Sequence, residues 1–134
     1  MEYKLEFIQI KLLLQSEYID YEYSKSLASE INKQKRWTSV IPVEYRNLIV
    51  MDGNHRLHAA SLLNLMYLPV VRLYYNSPCV KVFEWDSEKE YNINIIYSTI
   101  KNGKILPYKT TRHLFTPNLP LIDIPLSILR GKNK

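Results

Sequence analysis

Apolar and polar positions along the chain divide it into strand-like runs, helical repeats and polar turns. Leu5 to Leu14 predicts a first strand of mixed polarity that ends near Gln15-Ser16-Glu17. Ser24 is placed to cap a short helix reaching about Lys35, with Leu27, Ala28 and Ile31 on one face. Thr38 to Tyr45 predicts a strand, Arg46-Asn47 a tight turn, and Leu48 to Met51 its hairpin partner. Asp52-Gly53 stops that apolar run, and Ala59, Ala60, Leu63 and Met66 then recur at helical spacing, predicting a helix over 54–66. Leu68 to Tyr75 is a second apolar strand, closing a strand–helix–strand unit, and Val80 to Trp85 reads as another strand. Asp86 or Ser87 can cap a helix carrying Ile93, Ile96, Tyr97 and Ile100, which stops at Asn102-Gly103. Leu106 to His113 predicts a polar loop, followed by the proline-punctuated end Ile124-Pro125-Leu126-Ser127-Ile128-Leu129.

These elements give an α+β fold with a mixed sheet, and no repeat, low-complexity segment or linker divides them. At 134 residues and 46% apolar content the chain predicts one compact domain over 1–134. Composition then narrows the partners. The net charge of +5 suits an anionic ligand such as a nucleotide, and more weakly nucleic acid. Lys101, Lys104, Arg130, Lys132 and Lys134 supply much of that surplus, and the tail from Arg130 to Lys134 reads as a solvated end. A single cysteine, Cys79, excludes an intrachain disulfide and a multi-cysteine zinc site. No signal peptide and no apolar stretch long enough to span a bilayer is recognisable, so a cytoplasmic location without membrane partners is expected. Eleven tyrosines, clustered at Tyr18, Tyr21, Tyr23 and at Tyr74, Tyr75, read as amphipathic residues on half-buried strands rather than base-stacking platforms.

The chemistry concentrates at Asp52-Gly53-Asn54-His55-Arg56. A strand passing through a glycine into a helix leaves unpaired N–H groups at the helix start, and the helix dipole adds partial positive charge there. This is a phosphate-binding unit in which Arg56 can grip two oxygens. Asp52 can orient a substrate group or hold a divalent cation, and His55 can hydrogen-bond a phosphate or hydroxyl. The alternative is a structural turn in which Asp52 caps the helix and pairs with Arg56. His58 lies three residues beyond His55 on the same helix face; without an HExxH pattern it reads as a hydrogen-bonded, partly buried histidine. Thr110-Thr111-Arg112-His113 offers hydroxyl, guanidinium and imidazole donors for a carboxylate or phosphate, or is a surface loop. Glu17, at a strand end beside Tyr18, Asp20 and Glu22, is either a general base toward a hydroxyl or part of a solvated acidic loop.

The strand–Asp-Gly-x-His-Arg–helix–apolar-strand unit, MDGNHRLHAASLLNLMYLPVV, resembles the ParB/sulfiredoxin-like superfamily over roughly Phe7 to Tyr75. Sulfiredoxins carry a catalytic cysteine where this chain has Asn54, and partitioning ParB proteins carry a Gly-Glu-Arg-Arg type turn followed by a helix-turn-helix domain; neither feature is present. Free L-serine kinases resemble the chain at both ends, through Asp52 to Arg56 and through Thr110-Thr111-Arg112-His113 with the later Ile124-Pro125-Leu126-Ser127-Ile128-Leu129. That resemblance implies a single ParB/sulfiredoxin-like domain binding ADP or ATP, with magnesium, and phosphorylating free L-serine or a similar small hydroxyl compound. It implies Glu17 as general base and Asp52 at the acceptor or a Mg2+ ion. Gly53, Asn54, His55 and Arg56 would lie around the nucleotide phosphates, His55 also having a catalytic part. Thr111, Arg112 and His113 would hold the amino-acid substrate. The other outcome open to such a chain is a non-catalytic ParB-like regulator that binds nucleotide or nucleic acid.

Overall fold

Tyr67-Leu68-Pro69-Val70-Val71-Arg72-Leu73 is apolar at nearly every position, the pattern of a strand covered on both faces. The computed structural model describes residues 2–131, so Lys132 to Lys134 of the expected tail lie outside the described residues, while Arg130 and Gly131 are half-buried rather than solvated. Its elements are β1 (Glu6–Gln9), α1 (Tyr21–Gln34), β2 (Arg36–Ser39), β3 (Ile41–Glu44), α2 (Asn54–Leu62) and β4 (Tyr67–Leu73). They continue as β5 (Val80–Glu84), α3 (Ile93–Lys101), β6 (Thr111–Phe115), β7 (Leu121–Pro125) and α4 (Leu126–Leu129). β4 is the centre of a mixed sheet in the order β1–β4–β3. β1 runs antiparallel to it with Glu6 opposite Val70, and β3 runs parallel with Ile41 opposite Val70. The parallel pair is joined through α2, the crossover such a pair requires. β2 pairs with β7, and β5 with β6, as two antiparallel ribbons.

The period of two along β4 sorts its side chains into two cores. Leu68 and Val70 face a core with Trp37, Ile41, Val43 and Val50, covered by Ala28 and Ile31 of α1 and by Leu57, Ala59 and Ala60 of α2. Val71 and Leu73 face a second core with Val40, Ile49, Met51, Val80, Val82 and Ile96 of α3. Each fully buried large aliphatic side chain contributes about 1.5–3 kcal/mol, so the strand is fixed from both sides. The start of α2 is therefore carried on a rigid support.

Several predicted elements have different limits, each for a local reason. The first strand ends at Gln9 and turns through a 3-10 helix at Ile10–Leu12, because Ile10 N–H bonds Met66 O at 2.8 Å. The strand expected over Thr38 to Tyr45 breaks at Val40, where the chain leaves the β7 ribbon and enters the central sheet. Leu48 to Met51 does return against β3, but over a shorter stretch than a strand: Leu48 sits at φ 59°, and Val50 bridges Val43 antiparallel, flanked by Glu44 N–H to Ile49 O at 2.8 Å and Met51 N–H to Pro42 O at 2.9 Å. The cap of α1 is Asp20, whose carboxylate accepts from Tyr23 N, rather than Ser24 inside the helix. The cap of α3 is Asn92 rather than Asp86 or Ser87. α2 stops at Leu62, four residues earlier than the apolar repeat predicts, with Asn64 left-handed at φ 59°. Thr111 to His113, expected in a loop, opens β6 because Glu84 and Phe83 supply a ladder opposite Thr111 and Arg112.

Candidate active-site cleft

The turn before α2 is built around Gly53, which lies at φ 111°. A Cβ there would stand 2.8 Å from Ile41 Cδ1, and Ile41 is 0% exposed, so the neighbour has nowhere to move. No side chain caps α2; Leu57 N–H makes the first helical bond, to Gly53 O at 2.8 Å. The opening N–H groups at Asn54, His55 and Arg56 precede that bond and are left for an anion. The capping role considered for Asp52 is thus not what the geometry shows. Desolvation pushes the Asp52 carboxyl up, against the opposing pull of the Arg56 guanidinium and the Gly53 N–H.

Glu17 reaches the same cleft from the segment after β1. Its backbone is stitched between two segments: Leu14 N–H bonds Leu48 O at 3.0 Å, while Leu106 N–H bonds Ser16 O and Tyr18 N–H bonds Leu106 O, both at 2.8 Å. Glu17 Oε2 accepts the Thr111 N–H at 3.0 Å and the Thr111 hydroxyl. Oε1 takes a longer approach, 3.4 Å, from Thr110 N–H. Burial raises the Glu17 carboxyl above the usual carboxylate range, outweighing the hydrogen bonds from Thr111, Thr110 and Lys109 that favour the charge. Oε1 is therefore the more loosely held of the two oxygens.

Glu17, Asp52, Gly53, Asn54, His55, Arg56 and Thr111 line one cleft of about 380 Å³, together with Tyr18, Asp20, Tyr23, Trp85, Tyr108 and Lys109. The structure thus brings together most of the residues singled out in the sequence. His55 Nε2 accepts the Asp20 N–H at 2.9 Å, so its proton sits on Nδ1. Its ring lies edge-on to Tyr23 and Tyr108, and burial first of all pushes its pKa down, keeping it neutral. His58 is tied to Ser24 instead: the Ser24 hydroxyl donates to His55 O at 3.0 Å and meets His58 Nδ1 at 2.8 Å. Since that hydroxyl has one proton, His58 Nδ1–H donates to it.

Arg112 and His113 are not brought to the cleft. Alternation along β6 sends Arg112 away from Thr111, where its guanidinium donates to Ser87 O at 2.9 Å and Glu88 Oε1 at 3.2 Å and covers the Phe83 ring. His113 shares the Thr111 side but lies two residues deeper, 3.0 Å from the Tyr75 hydroxyl and beside Phe115. Burial pushes its pKa down to about 3. An unfolded histidine takes up its proton near the usual 6.5, so the native state loses stability as pH falls from there toward about 3. This residue alone contributes a slope of up to ~1.4 kcal/mol per pH unit. Urea melts at neutral and mildly acid pH should differ less in His113→Phe than in the wild type; equal differences would contradict the assignment.

The sequence reading missed the aromatic rim and its cation. Tyr18, 57% exposed, lies between Glu17 and the cap of α1, and Tyr23, 55% exposed, lies in the first turn of α1, rather than on half-buried strands. Trp85 and Tyr108 arrive from distant segments, and Lys109 Nζ lies over both rings at 5.5 and 5.3 Å. The tyrosine cluster was the available signal; nothing local pointed to Trp85 or Lys109. Among the described residues no group of three or more His, Cys, Asp or Glu side chains is arranged to hold a metal ion. No helix among them is long and apolar enough to cross a membrane.

Comparison with known proteins gives the fold. No protein-family model matches the chain. A ParB-like protein of Sulfolobus acidocaldarius is 25% identical over 114 residues, a match covering 81% of this chain and 57% of the relative. The chain thus spans little more than half the length of that relative. Among solved structures, a free serine kinase in complex with AMP superposes with a TM-score of 0.86 at 13% identity, over 96% of this chain and 95% of that one. A conserved hypothetical protein from Pyrococcus furiosus gives a TM-score of 0.86 at 13% identity, over 96% and 98%. C-terminally truncated SbnI from Staphylococcus aureus gives 0.78 at 12% identity, over 97% and 90%. The chain is an α+β domain with the ParB/sulfiredoxin-like fold. Its resemblance extends to a ParB-like protein in sequence and to free serine kinase in structure.

Proposed function

We propose that the cleft binds ADP or ATP and transfers a phosphoryl group to the hydroxyl of a small molecule, with free L-serine the first acceptor to test. One observation carries this reading: a desolvated carboxylate with one oxygen more loosely held than the other shares a cleft with an uncapped helix start and two cations, Arg56 and Lys109. The likeness to a free serine kinase solved with AMP, and to a variant of it solved with ADP, supports the choice of nucleotide.

In this reading Asn54, His55 and Arg56 present backbone N–H groups to the phosphates, and Gly53 lets them approach. Arg56 and the His55 Nδ1–H add side-chain donors. Glu17 Oε1 takes the acceptor's hydroxyl proton as the acceptor's own oxygen bonds to phosphorus. The bond from phosphorus to the bridging oxygen breaks, and the shortened nucleotide carries away the electron pair. Thr111 holds Glu17 rather than the acceptor, and Lys109 is the nearest candidate for the acceptor's carboxylate; Arg112 and His113 have no part in the cleft as it stands. A magnesium ion fits only if phosphates supply most of its ligands, with Asp52 as the protein carboxylate, since that ion commonly takes one or two carboxylates and keeps water. When bound, it would neutralise phosphate charge. A nucleotide donor accords with a cytoplasmic setting.

The test is incubation of the protein with magnesium, ADP or ATP and a panel of small hydroxyl compounds including L-serine, read by mass spectrometry. Phosphorylated product supports the reading; bound nucleotide without product from any acceptor contradicts it. The pH profile gives a second check. A general base must be ionised, so kcat/KM falls as pH drops through the raised pKa of Glu17, at a pH above that of an ordinary carboxylate. An acid limb at the ordinary carboxylate position would contradict that role. The ParB-like relative favours one other reading, a nucleic-acid-binding regulator. Its mark would be binding to a DNA or RNA duplex that weakens steeply with salt.

A further inference from the structure

We infer that Asn54 is a positioning residue that ties the proton acceptor Glu17 to the phosphate end of α2, acting through Ser16. The inference rests on the reading of the cleft given above. Asn54 opens α2, and its side-chain amide is engaged with the residue next to Glu17. Oδ1 accepts the Ser16 N–H at 2.8 Å, and Nδ2 donates to Ser16 Oγ at 3.1 Å. The Ser16 hydroxyl gives its own proton to Val50 O at 2.6 Å, and the Ser16 carbonyl accepts Leu106 N–H at 2.8 Å.

Ser16 is 5% exposed, and all of its polar groups are thereby matched. Asn54 supplies two of those partners. Remove the amide, and a buried N–H beside Glu17 is left without a partner, a state the backbone relieves by moving. The Thr111 bonds hold the Glu17 carboxylate from the far side, so movement at Ser16 changes the angle at which Oε1 meets the cleft. Asparagine suits this position because one short side chain offers an acceptor and a donor together. The phosphate-binding N–H groups and the base are in this way one unit, so a phosphate seated on α2 finds the base already in register.

The experiment uses the full chain with Asn54→Ala, Asn54→Asp and Ser16→Ala. Asn54→Ala should lower kcat by about 10- to 100-fold while ADP affinity changes by less than about threefold. Asn54→Asp keeps an acceptor for the Ser16 N–H, so it should recover much of kcat while binding ADP about tenfold more weakly, its new charge facing the phosphates. Ser16→Ala keeps the N–H bond and should fall between the wild type and Asn54→Ala. A purely structural role for Asn54 would lower Ala and Asp alike, with kcat and affinity falling together, and would overturn the inference. The Glu17 carboxyl is also titrated by carbon-13 NMR, which needs no turnover: it should shift by about half a pH unit or more in Asn54→Ala. An unshifted Glu17 overturns the inference. Absence of turnover in the wild type counts against the proposed function instead, and the titration still decides the role of Asn54.

Discussion

Glu17→Gln should lower phosphoryl transfer by about 10²- to 10⁴-fold, the usual contribution of a positioned general base, and leave ADP and ATP affinity within about twofold. The two effects separate because the Glu17 carboxylate faces the turn across the cleft and is tied to it through Ser16 and Asn54, bonds the substitution leaves in place. Glutamine has the same shape and keeps an oxygen for the Thr111 N–H, so the β6 edge stays in place. What it lacks is a basic oxygen at the Oε1 position. Single-turnover assays with saturating nucleotide, beside calorimetric titration with ADP, read both quantities. Unchanged turnover would remove Glu17 from the chemistry. Loss of nucleotide binding in step with turnover would make it part of the phosphate site instead.

Gly53→Ala should destabilise the domain by about 2–4 kcal/mol, combining the strain of a left-handed β-carbon with overpacking. The new methyl group would meet Ile41 Cδ1 at 2.8 Å, and Ile41 belongs to the core beneath the central sheet. A surface glycine would tolerate the change by yielding; this one has a fully buried neighbour. The same shift moves the N–H groups of Asn54 to Arg56. Loss of one charge-assisted hydrogen bond, about 1.5–3 kcal/mol, weakens ADP by about tenfold or more. Urea denaturation and ADP titration of the variant test both halves. Wild-type stability would mean the turn can take up a side chain, and the cradle argument would fail with it.

The glycine turn into α2 was legible in the sequence because its causes are local: an apolar run, a glycine and a helical repeat in one stretch of chain. The two-sided burial of β4 was legible for the same reason, from its continuous apolar run. What the sequence hid depends on partners far away along the chain. Val40 marks a change of sheet only because β7 and β4 are there to pair on either side of it. Ser24 looked like a cap, yet Asp20 has that role and the Ser24 hydroxyl bridges to α2. Arg112 and His113 stood beside Thr111 in the sequence, but strand geometry divides them among different surroundings. Trp85 and Lys109 reach the cleft from segments with no local signature of binding.

The central claim is that phosphate sits on the open start of α2 with Glu17 facing it, and an amide NMR titration with ADP tests it most directly. The account predicts the largest shifts at the N–H groups of Asn54, His55 and Arg56, a smaller response at Thr110 and Thr111, and none along the β2–β7 ribbon. Shifts centred elsewhere, with Asn54 to Arg56 unmoved at saturation, would contradict it.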